Sequence, residues 1–539
     1  MHRSLRLLAA LVAVAGLGAT ACSSSSSHTS ATTTFPHTGG TLRLAVVDLN
    51  TWQPDQIVPT NQAEMIAVDL LDEGLTSIDP TTNRAAPALA TTWSSDVSGS
   101  GSEMQVGTTW TFQLDPDARF TDGSKVTATD VVKALTAVAS QGSSTLAGAR
   151  LDVVQGYDEL VSGKADTLAG LHADGDKVEV TTDQPDAELP LLLASPVYAV
   201  TKSGNKPPST TKPIIEPSRA PLGTGPFKVA SQDGNTLKLV RTANSHAQLD
   251  EVDLIEFRDA SAAVAAVRNG QADWAAVPPD KKSSATGGGI GYTVQAPLGA
   301  EQFFGINLAS PTFANPFFRQ AIIKSIDRNS LVATVLPGLH VSSGVVPPGV
   351  PGSVPDACGA TCEFDRNAAR QLLHRAFPGG RIPIVEIDTD ADPSDVQLAR
   401  TVAVNLGAVR IPTQVKVHSF GEYQRFITSG RQQLFRTGWV GLWPSAGAYL
   451  EPLFRSNSLD NSTSFKSAHI DGALTRTAAL ADADARATQY QAIQRTIISD
   501  AVVVPVASYT QVIALNSKVQ HYAARLDGTF DVDTVEVSG

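Results

Sequence analysis

The chain has 539 residues, of which 42% are hydrophobic and 17% charged, and its formal net charge is −12. This apolar content excludes a disordered or collagen-like chain and is sufficient for more than one packed core. The acidic balance argues against a nucleic-acid partner, because binding to nucleic acids relies on lysine and arginine to neutralise phosphates.

The N-terminus has the order of a bacterial secretory signal. Two arginines precede an apolar run from Leu7 to Leu17, and small residues follow before Cys22. This order predicts a signal peptide at residues 1–21. The small residues and the cysteine resemble a lipobox, in which the cysteine thiol is acylated, although Ala19 stands where such motifs usually carry Leu or Val. Ordinary cleavage beside an unmodified cysteine is the alternative.

Residues 22–38 are rich in serine and threonine, which predicts a flexible tether behind the lipid anchor. No later stretch reaches the roughly 18 uninterrupted apolar residues that a membrane span needs. We therefore expect a body outside the membrane, anchored to the extracytoplasmic face of the cell membrane, in the periplasmic or cell-wall space.

Hydrophobic periodicity in the first half of the body mixes strands and helices. Residues 42–46 alternate as a half-buried strand does, residues 63–71 have helical spacing, and residues 110–114 alternate again. Thr127 and Asp130 form a capping box that predicts the start of a further helix.

The second half continues in the same way. Asn315, followed by proline, and Asp365 each predict the start of a helix, and Tyr490, Ile493 and Ile497 lie on one helical face. No repeat period is present. The predicted fold class is therefore α/β, in the sense of a mixed α+β body in two parts.

The cysteines of the body form a close pair, Cys358 and Cys362. In an exported protein such a pair predicts a small structural disulfide loop. A zinc site is the less favoured alternative, because it needs further ligands and no histidine lies close by in sequence.

The sequence lacks the motifs of common enzymes. The ten histidines are at least nine positions apart, which excludes the zinc-protease pair on one helix turn. No Gly-x-Ser-x-Gly motif occurs, and the glycine run at 287–291 lacks the Lys-Ser/Thr of a phosphate loop. An envelope enzyme is therefore the weaker hypothesis, no metal or cofactor is expected, and a binding function remains.

Motifs in one order along nearly the whole body resemble solute-binding family 5 of the ABC importers, the oligopeptide and dipeptide binders. They lie at residues 39–43, 72–75, 87–93, 110–114, 120–123, 128–132, 223–227, 319–321, 326–328 and 438–439. The resemblance implies that most of these motifs have structural roles, such as capping a helix or shaping a turn.

The resemblance implies a two-lobed fold of the periplasmic-binding-protein type II kind, with the ligand between the lobes. Lobe I would comprise residues 39–298 and 506–539, with an extra subdomain at about 80–195, and lobe II residues 299–505. The implied partners are a small peptide-like solute and the permease and ATPase subunits of an importer. We expect a monomer without catalytic turnover.

The resemblance also places the ligand on one segment. The expected ligand-binding residues are Arg436, Gly438, Trp439, Val440, Gly441, Leu442 and Trp443. In peptide-binding relatives this strand offers backbone groups to the peptide, which explains their tolerance of peptide sequence. Those relatives carry an aspartate for the ligand's ammonium where this chain has Leu442, and a second aspartate where it has Ser445.

Because these two carboxylates are missing, the sequence is compatible with several kinds of ligand. The cleft could take a longer peptide, a blocked peptide or a more apolar ligand stacked on Trp439 and Trp443. Packing of both tryptophans in a lobe core, and an internal ion pair of Arg436, are the structural alternatives. A regulatory or scaffold role in envelope assembly, and a non-peptide ligand such as haem or an oligosaccharide, are the alternative functions.

Overall fold

The computed structural model describes residues 38–202, 222–243 and 245–538. The predicted signal peptide, Cys22 and the tether up to residue 37 lie outside these residues. No helix of the described part is long and apolar enough to cross a membrane.

The described residues form nineteen strands and fourteen α-helices. The strands are β1 (Thr41–Val46), β2 (Thr76–Ile78), β3 (Ala85–Pro87), β4 (Ala90–Ser98), β5 (Gln105–Leu114), β6 (Leu171–Asp174), β7 (Lys177–Thr181), β8 (Phe227–Asp233), β9 (Thr236–Arg241), β10 (Glu251–Glu256), β11 (Trp274–Val277), β12 (Ile290–Ile306), β13 (His340–Val341), β14 (Val385–Asp390), β15 (Thr413–His418), β16 (Leu434–Val440), β17 (Val503–Asn516), β18 (Val519–Gln520) and β19 (Glu536–Val537).

The helices alternate with these strands along the chain. They are α1 (Gln62–Leu71), α2 (Ala128–Ala139), α3 (Leu146–Ala149), α4 (Tyr157–Val161), α5 (Leu189–Leu192), α6 (Ala260–Arg268), α7 (Pro316–Ser325), α8 (Arg328–Val335), α9 (Arg366–Ala376), α10 (Pro393–Gly407), α11 (Phe420–Thr428), α12 (Gly447–Phe454), α13 (Ala468–Ala478) and α14 (Ala483–Ser499). The content is mixed α/β, as predicted.

Local sequence explains where these helices begin. The side chains of Thr127 and Asp130 bond to each other's backbone N–H groups and form the predicted capping box of α2. The side chains of Asn315 and Asp365 accept hydrogen bonds from the first turns of α7 and α9. These three predicted helix starts are confirmed.

One long sheet runs through the whole body. Its strand order is β15-β14-β16-β12-β17-β11-β1-β10-β9-β8, with β13 added to β17. A separate four-stranded antiparallel sheet, β4-β5-β7-β6, lies within the predicted subdomain.

Hydrophobic residues form two large cores on this sheet, the first core and the second core. We call the elements packed around each core the first lobe and the second lobe. The first lobe contains α1, α2, α5, β1, β8–β10 and the four-stranded sheet, and the second contains α7, α9, α10, α12, α14 and the second half of β12. A smaller cluster packs α6 on β11.

The chain passes between the lobes along β12 and β17. The pairing register of these two strands shifts between Pro297 and Glu301. At this point the backbone of Gly299 accepts from the N–H of Gly441 at 3.1 Å and from the hydroxyl of Tyr449 at 2.7 Å. The lobe boundaries at 298/299 and 505/506 stay predictions, and the second core extends to Val506 and Ala507, just past the second boundary.

The Gly-Thr-Gly-Pro-Phe motif at 223–227 has a packing role. A Cβ atom at Gly225 would lie 2.5 Å from the backbone nitrogen of Asp72. The hydroxyl of Thr224 accepts a hydrogen bond from the N–H of Glu73 at 2.9 Å. The motif therefore packs directly on the backbone of the Asp-Glu-Gly-Leu segment at 72–75, and only glycine fits this approach.

Cys358 and Cys362 are joined by a disulfide bond in a short loop before α9. Arg328 of α8 donates to the carbonyl oxygen of Cys362 at 3.1 Å. The bridge therefore fixes a loop on which the second lobe's α8 rests.

Candidate functional site

Strand β16 carries most of the expected ligand residues and has one open side. It pairs with β12 along its length, from Leu434 to Val440, whereas β14 pairs only with Leu434 and Phe435. Beyond Phe435, no strand of the described chain pairs with this side of β16. We call this unpaired side of β16, beside the end of β14, the notch.

The backbone groups that face the notch follow from strand alternation. The N–H of Gly441 donates to Gly299, on the β12 side. Residues at every second position direct their N–H and C=O groups to the same neighbour, so Trp439 also faces β12. Gly438 and Val440 then direct their backbone groups into the notch, where an extended chain could pair with them.

Arg436 lies beside the notch and is partly engaged. Its Nε atom is 2.9 Å from Oδ1 of Asp395, at the start of α10, and its side chain is 24% exposed. Gln302 donates to the same oxygen at 2.9 Å. No hydrogen bond from the two terminal nitrogens of Arg436 is found among the described residues.

The surroundings of Arg436 hold more negative than positive charge. Burial raises the pKa of Asp395, and the charge of Arg436 opposes this rise. Asp390 and Asp392 raise the pKa of Asp395 further by repulsion. The hydroxyl of Tyr423, on α11, donates to the carbonyl oxygen of Arg436 and fixes the strand here.

Both expected tryptophans use their indole N–H groups within the protein. Trp439 donates to the carbonyl oxygen of Ala448 at 2.8 Å, and Trp443 donates to Oε2 of Glu188 at 2.8 Å. Both side chains are partly buried against the second core, and Trp443 also contacts the first. Only their ring faces therefore remain for a ligand.

Leu442 lies on the first-lobe side. Its side chain is 5% exposed and belongs to the first core. It lines a narrow crevice together with Gly441, Trp443, Tyr449 and the segment 525–527. The structure thus brings Arg436, Gly438 and Val440 to the notch and places Leu442 and Trp443 at this separate crevice.

Sequence reasoning missed the groups that hold these residues in place. Asp395, Gln302 and Tyr423 fix Arg436, and Glu188 binds Trp443 and Ser445. Only Asp395 had a local signal, because it lies in the first turn of a helix that an Asp-Pro pair opens.

In the described part of the chain, no group of three or more histidine, cysteine or acidic side chains could hold a metal ion.

Residues 84–461 match the family described as bacterial extracellular solute-binding proteins, family 5 Middle. A probable di/tripeptide-binding protein of Pseudomonas aeruginosa is 25% identical over 67% of this chain and 70% of its own. The periplasmic oligopeptide-binding protein OppA of Escherichia coli is 24% identical over 83% of each chain.

Two-lobed solved structures share the fold. The unliganded open form of the murein tripeptide-binding protein MppA superposes with a TM-score of 0.75 at 20% identity, over 94% of this chain and 98% of its own. Haemophilus influenzae OppA in complex with RPPGFSPFR superposes with a TM-score of 0.69 at 19% identity, over 93% and 99%. These matches confirm the predicted two-lobed fold and the resemblance: the chain belongs to family 5 of the bacterial extracellular solute-binding proteins.

Proposed function

We propose that this protein captures a peptide or peptide-like solute between its lobes and delivers it to an ABC permease and its ATPase. It acts as a monomer, without catalytic turnover, at the extracytoplasmic face of the membrane. The observation that carries the proposal is the notch beside β16, where Gly438 and Val440 offer backbone groups next to the free guanidinium nitrogens of Arg436.

The notch suits an extended main chain. Every peptide presents the same pattern of N–H and C=O groups, so pairing with a strand edge binds peptides of many sequences. Arg436 adds a charged contact, because a guanidinium donates two parallel hydrogen bonds to a carboxylate. A peptide would therefore pair with β16 and direct its C-terminal carboxylate, or an acidic side chain, to Arg436.

The other end of the ligand lacks an acidic partner at position 442. Leu442 cannot neutralise an ammonium group, and its packing in the first core is a second reason against a contact there. The preferred ligand is therefore a peptide longer than a dipeptide, or one with a blocked amino terminus. The names of the relatives support this class, since they bind di- and tripeptides, oligopeptides, a murein tripeptide and a nonapeptide.

Native mass spectrometry of protein purified without denaturation tests the ligand class. We expect a co-purified peptide, released on unfolding and identified by fragmentation. Recovery of haem, an oligosaccharide or a metal chelate would overturn the peptide proposal. If no member of a broad peptide pool stabilises the protein against heat, the regulatory or scaffold role is favoured instead.

A substitution at Arg436 tests the mode of binding. We expect Arg436→Gln to lower the affinity for peptides with a free C-terminal carboxylate about ten- to hundredfold, because a charge-assisted hydrogen bond contributes about 1.5–3 kcal/mol. Peptides with an amidated C-terminus should bind equally to both proteins. Calorimetry on matched free and amidated tri- to pentapeptides measures the difference.

Two further variants control this experiment. Arg436→Lys keeps the charge and should retain part of the affinity. Lys416→Gln removes another ion-paired cation of the second lobe, on the edge strand β15, and should change no peptide affinity. Equal losses of affinity for free and amidated peptides in Arg436→Gln would show that the peptide's C-terminal carboxylate binds elsewhere.

The lipid anchor is tested separately. Mass spectrometry of the mature protein should show a di- or triacylated N-terminal Cys22. A free thiol at this position, or a different first residue, would remove the anchor from the proposal and leave the binding function intact.

A further inference from the structure

A buried carboxylate of the first lobe binds the loop that follows the ligand strand. Glu188 is 3% exposed and directly precedes α5, of which Leu189 and Leu192 lie in the first core. Its carboxylate accepts hydrogen bonds from the indole N–H of Trp443 at 2.8 Å, from the hydroxyl of Ser445, and from Nε of Arg486 at 3.1 Å.

These partners are anchored on the second-lobe side. Ser445 directly precedes Ala446, which is buried in the second core, and Arg486 lies on α14, whose Tyr490 belongs to the same core. The contact of Glu188 therefore crosses from one lobe to the other. It joins them far in sequence from the crossing strands β12 and β17.

Backbone hydrogen bonds surround this ion pair. The N–H groups of Val106 and Ala187 donate to the carbonyl oxygens of Ala479 and Ala478, at 2.9 and 2.8 Å. The N–H of Ala481 donates to the carbonyl oxygen of Met104 at 2.8 Å. The start of β5 and the segment before α5 are thus hydrogen-bonded to the end of α13 and the loop that follows it, which makes a second connection between the lobes.

The second lobe leaves space for the carboxylate. A Cβ atom at Gly447, the first residue of α12, would lie 2.2 Å from Oε2 of Glu188 and 2.7 Å from the hydroxyl of Tyr490. Arg486 also donates to the carbonyl oxygen of Leu480, in the loop that carries the backbone hydrogen bonds. The ion pair and the backbone connection therefore form one unit.

We infer that Glu188 is a positioning residue that holds this second connection closed and so fixes the end of β16 relative to the first lobe. Removing one partner of a buried ion pair leaves an uncompensated charge, which makes parting of the lobes here costly. The connection then holds the loop 443–445 against the first lobe.

Hydrogen exchange of the mature full-length protein, followed by mass spectrometry, tests this inference without any ligand. The amides of Val106, Ala187 and Ala481 report on the connection, and amides of β7 and α7 report on the two lobes. We expect Glu188→Gln to speed exchange of the three connection amides at least tenfold, with little change in β7 and α7.

A matched control is present in the second lobe. Glu451 of α12 is partly buried, with its side chain 20% exposed, and it pairs with Arg455, the residue that directly follows this helix. Glu451→Gln therefore breaks a partly buried ion pair within one lobe and should leave exchange of the connection amides as in the wild type. Arg486→Gln should act like Glu188→Gln, and the double variant should add little to either.

Two results would overturn the inference. One is exchange of the connection amides in Glu188→Gln at the same rate as in the wild type. The other is an equal increase in the connection, β7 and α7, since that pattern shows general destabilisation. If Glu188→Gln fails to fold, Ser445→Ala removes a single hydrogen bond to the carboxylate. It should give a smaller increase confined to the connection, and unchanged exchange there would also overturn the inference.

Discussion

The hydroxyl of Ser508 on β17 donates to the carboxyl group of Glu301 on β12 at 2.6 Å, where both strands pass from one lobe to the other. Glu301 is 1% exposed, and its second oxygen has no hydrogen-bond partner among the described residues. Burial raises the pKa of Glu301 to about 8, while the hydrogen bond from Ser508 opposes the rise. The protonated carboxyl group is thus the form that fits this crossing.

The stability of the protein should therefore depend on the charge of Glu301. The folded state holds the proton more tightly than the unfolded state, so the stabilisation is complete below about pH 4.5 and is lost as the pH rises to about 8. Glu301→Gln keeps the shape without the charge. The free energy of unfolding of this variant, relative to the wild type, should rise by at least about 1.4 kcal/mol between pH 5 and pH 8.

Urea unfolding of both proteins at the two pH values measures this change. Glu386→Gln, which removes a half-exposed carboxylate on β14, controls for the loss of a negative charge. A difference between Glu301→Gln and the wild type that is the same at both pH values would show that Glu301 is ionised in the folded protein throughout.

Leu442→Asp should destabilise the protein. The substitution places a carboxylate in the first core, where Leu442 is 5% exposed, and an unpaired buried charge is costly. We expect a loss of about 2–4 kcal/mol, whereas Leu442→Met should cost less than about 1.5 kcal/mol. Thermal and urea unfolding of the two variants provide the comparison.

The same variants separate packing from ligand contact at position 442. Wild-type stability of Leu442→Asp, together with tighter binding of peptides that have a free amino terminus, would show that this side chain faces the ligand's ammonium.

Gly447→Ala should disturb the contact of Glu188. The added methyl group would displace the carboxylate or the Tyr490 hydroxyl, and such overpacking costs about 1–3 kcal/mol. Gly421→Ala is the matched control, because a Cβ atom in α11 meets only Arg425 at 3.6 Å. Alanine favours a helix over glycine by up to about 1 kcal/mol, so the control should be neutral or stabilising in a thermal melt. A stable Gly447→Ala would contradict the tight fit at Glu188.

The disulfide loop should make a modest contribution to stability. Closing a loop as short as that between Cys358 and Cys362 contributes about 2 kcal/mol in the chain-entropy model. We expect the double variant Cys358→Ser/Cys362→Ser to lose about this much in urea unfolding. Reduction of the wild type should give the same value, and a larger loss in the variant alone would point to damage from the serines.

The sequence was informative wherever the signal was local. A cap such as that of Thr127 with Asp130 predicts the start of a helix from four consecutive residues, and the ordered motifs identified the family. Glu188 had no comparable signal, because its partners Trp443 and Arg486 lie 255 and 298 residues away. The burial of Leu442 in the first lobe was hidden for the same reason, since a motif position does not reveal which core the side chain enters.

The place of β16 within the long sheet limits what can reach its open side. A free strand edge invites pairing with any extended chain, and proteins commonly protect such edges against self-association. Here the ends of the sheet are β15 and β8, and the open side of β16 is interior, where β14 diverges after Asp388. The unpaired backbone of β16 therefore does not lie at an end of the sheet, where the edge strand of another protein could extend it.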